Sequence, residues 1–229
     1  MNKQSCIYCG SKATTRDHVP PRLLLERPFP KNLHTVPSCL DCNRGASKDE
    51  EYFLVLIAQV SQSPNITAKL EPGGTLDRAF TRSPALEQRF LDAIGIDENT
   101  GQPFIHPELP RVARIVKKIA LGLFELKYKW SPPLEAAHFA NLFPSETQDA
   151  RPLPYFLATF TERFNPKRWN TVQSGVFSYI FVRDPTHSST VWCMMDFHGS
   201  FWGIVHLPRM HTGRIRSKNQ LPLFKMEES

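Results

Sequence analysis

The 229-residue chain lacks any run near the roughly 20 apolar residues that a membrane span requires, and Met1-Asn2-Lys3-Gln4-Ser5 lacks the apolar stretch of a secretory leader. Those absences predict a cytoplasmic protein with no membrane partner. Internal repeats, a phosphate-binding glycine loop and a nucleophile elbow are missing as well, which removes solenoids, P-loop enzymes and serine hydrolases from consideration. Cysteine is scarce, with five in all. In a reducing compartment such a number points to metal ligands before disulfides. The net charge of +6, with its basic excess toward the two ends of the chain, is compatible with a polyanionic partner and does not require one.

Four of the five cysteines form two Cys-x-x-Cys pairs, Cys6-Ile7-Tyr8-Cys9 and Cys39-Leu40-Asp41-Cys42. Four thiolates close one tetrahedral zinc site with no open position for water, so the expected role is structural. Between the pairs lies Asp17-His18, and Asn43 directly follows the last cysteine. A carboxylate, an imidazole and an amide oxygen suit a second, harder cation. Cys193, in Val191-Trp192-Cys193-Met194-Met195, reads as a small buried hydrophobe.

The local pattern predicts a hairpin and a helix. Gly10 frees the turn of the first knuckle. Thr14 to Val19 reads as a strand stopped by Pro20-Pro21, and Asn32 to Val36 as a second strand ended by Pro37. Ser38 reads as the N-cap of a brief helix closed by a left-handed Gly45. Ser47-Lys48-Asp49-Glu50 then reads as a capping box before Glu51 to Ala58, which is apolar on nearly every face and has to be buried. Asp49, Glu50 and Glu51 are expected as charges favoured at a helix N-terminus.

In these residues the chain resembles the HNH endonucleases, whose ββα-metal motif runs Cys-x-x-Cys, Asp-His-Val/Ile-x-Pro, Asn-Leu, then Cys-x-x-Cys-His/Asn. The matching positions are Cys6, Cys9, Asp17-His18-Val19-Pro20-Pro21, Asn32-Leu33, Cys39, Cys42 and Asn43, about the first quarter of the chain. The resemblance implies a metal-dependent endonuclease acting on nucleic acid, DNA before RNA. His18 would be the general base, Asp17 and Asn43 would hold Mg²⁺ or Mn²⁺, and Asn32 would tie the loop to the backbone and orient the base. Residue chemistry permits this, because an imidazole titrates near neutral pH and a hard cation stabilises charge on phosphate oxygens. The alternative is a non-catalytic zinc-knuckle module that binds nucleic acid or other proteins. His34 is a possible phosphate contact. Lys12, Arg44 and Lys48 can offset the negative charge of a four-thiolate site or grip a nucleic-acid backbone, and the sequence leaves both open.

The expected organisation is α+β. A zinc-stabilised ββα-metal module over residues 1–62 precedes a second domain over 63–229, in which helices at about 84–143 pack on antiparallel strands at about 155–208, followed by a basic tail. The boundary falls near Gln62 in a proline- and glycine-rich connector. Ser83-Pro84 starts one helix running to about Ile94. A longer helix from Pro110 to Trp130 turns Val112, Ile115, Ile119, Leu123 and Leu126 inward and leaves Arg111, Arg114, Lys117 and Lys118 exposed. The expected strands are Tyr155 to Glu162, Gly175 to Arg183, Thr190 to Phe197 and Phe201 to Leu207, with His198-Gly199-Ser200 as a turn. Trp169, Trp192 and Trp202 are expected in the core. Arg209, Arg214, Arg216 and Lys218 make the tail basic, and the second domain offers a surface for a protein partner.

Overall fold

The computed structural model describes residues 5–144 and 169–208, apart from 62, 102, 185, 186 and 188. Strand β1 (Thr15–His18) pairs antiparallel with β2 (Thr35–Ser38), setting Asp17 opposite Val36 and His18 opposite Thr35. Two helices follow, α1 (Leu40–Arg44) and α2 (Ser47–Val60), then α3 (Pro64–Thr67), α4 (Thr75–Arg82) and α5 (Pro84–Asp92). A small hairpin, β3 (Ile94–Ile96) with β4 (Pro103–Ile105), leads to the long helix α6 (Leu109–Tyr128). Strands β5 (His138–Pro144), β6 (Asn170–Gln173), β7 (Phe177–Arg183), β8 (Thr190–Phe197) and β9 (Phe201–Pro208) form one antiparallel sheet in the order β5-β9-β8-β7-β6. The protein is thus α+β with antiparallel sheets. No helix among the described residues is long and apolar enough to cross a membrane.

Helix α2 is the centre of the molecule. Tyr52, Phe53, Leu54, Val55, Leu56 and Ile57 are all buried, as an all-round apolar helix demands. On one side α2 meets α6, whose Val112, Ile115, Ile119 and Leu123 point inward as the 3.6-residue period predicts, while Phe53 meets Phe197 of β8 edge-on at 5.0 Å. One hydrophobic cluster runs unbroken from Tyr8 and Val19 through both helices to Val205 and Leu207. Gly122 sets how closely α6 approaches the hairpin, because a Cβ there would lie 2.5 Å from a methyl of Val19, the residue after His18. The turn between β8 and β9 has positive φ at both His198 and Gly199, as its sequence predicts.

Several local expectations are corrected. The second strand lies at 35–38, not 32–36, and contains Pro37. Ile7 N donates to the outward-facing Pro37 carbonyl, so the proline's missing donor also faces away from β1 and leaves the ladder intact. Ser38 does not cap α1. Cys39 does, its Sγ accepting from Cys42 N. Gly45 is right-handed (φ −62°) and Ala46 at the α2 N-cap is also helical, so α1 runs almost directly into α2. With no extended residue at that junction the capping box cannot form, and the Ser47 hydroxyl donates to the Arg44 carbonyl instead. Residues 138–144 lie in the stretch expected to be helical and form β5, added to the free edge of β9 after the Pro132-Pro133 break. The largest correction concerns the basic face of α6. Lys118 is buried and Arg111 largely so, whereas Arg114 is exposed as expected; both arginines pair with Asp49, which is itself buried. The tryptophans are only partly buried, with Trp169 and Trp192 against the Ile180, Met194 and Ile204 cluster. The expected strand 155–162 and the basic residues Arg209, Arg214, Arg216 and Lys218 lie outside the described residues.

Candidate metal centre and its surroundings

The two knuckles converge. The first turns back on itself through Gly10, at φ +76°, whose N–H donates to the Cys6 carbonyl. The second opens α1, where Cys39 and Cys42 fall three residues apart on one turn. All four sulfurs lie within 4.8 Å of one another, and Cys9 Sγ is 3.7 Å from Cys39 Sγ. Zinc–sulfur bonds of about 2.3 Å in a tetrahedron give edges of about 3.8 Å, so the quartet fits zinc. The Ser11 hydroxyl and amide draw the Cys9 thiol down to about 6, toward the thiolate that a metal requires. Cys193 is remote from the quartet in sequence and fully buried, and burial pushes its thiol far up, in keeping with an inert core role.

The zinc-type knuckles hold β1, β2 and the start of α1 in one small unit, and the other candidate residues lie on it. Asn43, on α1, donates through Nδ2 to Thr15 Oγ1 (3.1 Å) and to the Arg16 carbonyl (3.2 Å). Its amide nitrogen is therefore spent on the strand that carries Asp17-His18, while Oδ1, the atom a hard cation would use, accepts no hydrogen bond among the described residues.

Asp17 points into the protein and is 5% exposed. Its Oδ2 accepts from the Tyr8 hydroxyl at 2.9 Å and pairs with Lys118 Nζ at 3.0 Å, and Lys118 continues to Glu50 Oε1 at 2.9 Å. Burial works against the Lys118 charge, but Glu50 and Asp17 outweigh it and hold the ammonium above the ordinary lysine value. Burial, reinforced by Asp17, keeps Tyr8 protonated as a donor. Asp17 Oδ1 accepts no hydrogen bond among the described residues. A carboxylate oxygen and an amide oxygen are each the kind of ligand that a hard divalent cation takes.

His18 is half-buried on the opposite side of β1 from Asp17, by strand alternation. Burial, then the Arg22 charge, lowers its pKa against an opposing pull from Asp17, which favours the neutral ring. That ring makes no hydrogen bond among the described residues, so its nitrogens are open to an incoming group. Asn32 and His34 are exposed on the loop before β2, and neither side chain forms a hydrogen bond among the described residues. The Asn32 tie to the backbone is thus not made here.

Sequence reading missed Tyr8, Glu50 and Lys118. Lys118 was detectable in principle, because it falls three residues after Ile115 and four before Gly122, inside the apolar stripe of α6. A lysine in such a stripe needs a buried carboxylate. Compared with protein-family models, curated proteins and solved structures, the chain finds no match.

Proposed function

We propose that the chain is an endonuclease of the HNH, ββα-metal type that hydrolyses phosphodiester bonds in nucleic acid, DNA before RNA, through a module spanning residues 1–62. The observation that carries this reading is the pair of hydrogen bonds from Asn43 to β1. They fasten the residue after Cys42 to the strand that carries Asp17-His18, and a sulfur-bound zinc would make that junction rigid.

In this reading His18, neutral at physiological pH, removes a proton from the attacking water. Asp17 and Asn43 offer their Oδ1 atoms to Mg²⁺ or Mn²⁺, which when bound would draw charge from a phosphate oxygen. Tyr8 and Lys118 fix the carboxylate through its other oxygen, and Asn43 is fixed through its nitrogen. Both ligands are therefore oriented before any cation arrives.

The test is cleavage of plasmid and of single-stranded RNA by purified protein with Mg²⁺ or Mn²⁺, beside a His18→Ala variant. Cutting by the parent alone supports the proposal. Equal, negligible cutting by both proteins would favour a non-catalytic zinc-knuckle module that binds nucleic acid or protein. The burial of Asp17 between Tyr8 and Lys118 is the one feature that suits this second reading as well.

A further inference from the structure

The Lys118 ammonium lies where its charge acts on the proposed cation ligand. It is 3.0 Å from Asp17 Oδ2 and 2.9 Å from Glu50 Oε1, and its side chain is 6% exposed. Ile115 and Ile119, both buried, flank it along α6, and the Tyr8 ring lies 5.8 Å from Nζ. Swinging the ammonium into solvent would strand Asp17 and Glu50 as buried, unpaired carboxylates. The lysine is thus a fixed positive charge.

Its effect on a divalent cation follows from Coulomb's law. Asn43 is neutral, and Lys118 is shared between Asp17 and Glu50, so the three groups together carry one negative charge while the ammonium sits directly against the Asp17 carboxylate. A dication at Asp17 Oδ1 would be repelled by that ammonium across a few ångströms of poorly screened protein, which offsets part of what the carboxylate offers. A phosphodiester oxygen brings the negative charge that the protein ligands lack.

Resting on the nuclease reading, we propose that Lys118 makes cation binding at Asp17 and Asn43 depend on substrate, keeping the site weak for metal until a phosphodiester arrives. Glu50 holds the lysine in place, so that it acts as a standing counter-charge.

The experiment measures Mn²⁺ binding to the full, zinc-loaded chain by the electron paramagnetic resonance of free Mn²⁺, in a His18→Ala background so that DNA stays intact. Duplex DNA is expected to tighten Mn²⁺ binding by about tenfold or more. In the Lys118→Met/Glu50→Gln variant, which removes one charge of each sign, Mn²⁺ is expected to bind about tenfold tighter without DNA and to gain much less when DNA is added. Lys118→Arg should keep the parent behaviour. Zinc content and melting temperature establish that the variants fold. The inference is overturned if a folded double variant binds Mn²⁺ no tighter than its parent, or, should that variant not fold, if DNA leaves the parent's Mn²⁺ affinity unchanged. A separate result would sink the site itself: Asp17→Asn binding Mn²⁺ as well as the protein that retains Asp17.

Discussion

The Asn43 side chain donates to the carbonyl oxygen of Arg16 over 3.2 Å, binding the first turn after the second knuckle to the residue before Asp17-His18. A metal held by the four sulfurs would position that turn, so that the relation between the helix and the strand would not depend on the small hydrophobic contact a hairpin of this size can make. The metal-type cluster and the proposed chemistry are linked through this contact.

Removing zinc should therefore loosen the site before the rest of the fold. Cys39→Ser is expected to lose bound zinc and to lower the melting temperature by on the order of 10 °C. Asp17→Asn should retain zinc. Metal analysis of both proteins checks this, and zinc loss from Asp17→Asn would mean that the two sites are not separate.

His18→Ala should reduce cleavage by about 10²- to 10⁴-fold while changing stability by no more than about 1 kcal/mol, since the ring makes no hydrogen bond among the described residues. Asn43→Ala differs because it removes two hydrogen bonds as well as the proposed oxygen ligand. A loss of about 2 kcal/mol in denaturant unfolding should accompany its loss of cutting. Unchanged stability in Asn43→Ala would show that the tie to β1 is weak in solution.

Asp49 couples the first turn of α2 to α6. It is 3% exposed and takes Arg111 at 2.9 Å together with Arg114. Asp49→Ala leaves Arg111, which is largely buried, with only the looser Glu108 pair at 3.9 Å and the Tyr52 ring, while Arg114 is more than half exposed and can turn to water. A destabilisation of about 2 kcal/mol is expected, below the usual figure for breaking a fully buried pair. Chemical denaturation measures it, and a variant as stable as the parent would contradict the coupling.

His198 predicts a pH dependence remote from the cysteines. Its side chain has no exposure and its Nε2 lies 2.9 Å from the Leu24 carbonyl, while Glu26 Oε1 is 3.7 Å from Nδ1 and Lys69 adds a nearby positive charge. Burial pulls its pKa down to about 4. A histidine lowered in the folded state stabilises the protein above its unfolded pKa of about 6.5, and that contribution is lost as pH falls toward 4, by about 3 kcal/mol at most. His198→Asn suits the left-handed backbone there but gives up the Leu24 contact, so it should be less stable at pH 7.5. The gap between parent and variant should narrow from pH 6.5 downward. Asp196, raised to about 6 by burial, affects both proteins alike and drops out of the difference. A gap constant with pH would refute the assignment.

Much of this was open to sequence reading because it rests on local rules. Cysteine spacing gave the quartet, the 3.6-residue period gave the inward side of α6, and β-branched and aromatic runs gave β7, β8 and β9 with their turn. Where local rules competed, the reading slipped. The Ser47 signal for a capping box lost to the helical continuation through Gly45 and Ala46, and Pro37 was compatible with a strand because its missing donor faces away from β1. Strand β5 offered no strong pattern of its own and exists through pairing with β9, far away in sequence.

The sequence by itself determined that four thiolates must meet, that α2 must be buried, and that Asp17 and His18 lie on the segment the knuckles enclose with Asn43 directly after it. Those outcomes depend on spacing and on side-chain chemistry within a short stretch. Only the tertiary structure decided that Lys118, 101 residues after Asp17 in the chain, supplies a counter-charge to that aspartate, and that Arg111 and Arg114 pair with Asp49. The physical reason is that a buried carboxylate must find a cation, and which cation can reach it is set by the packing of α2 against α6.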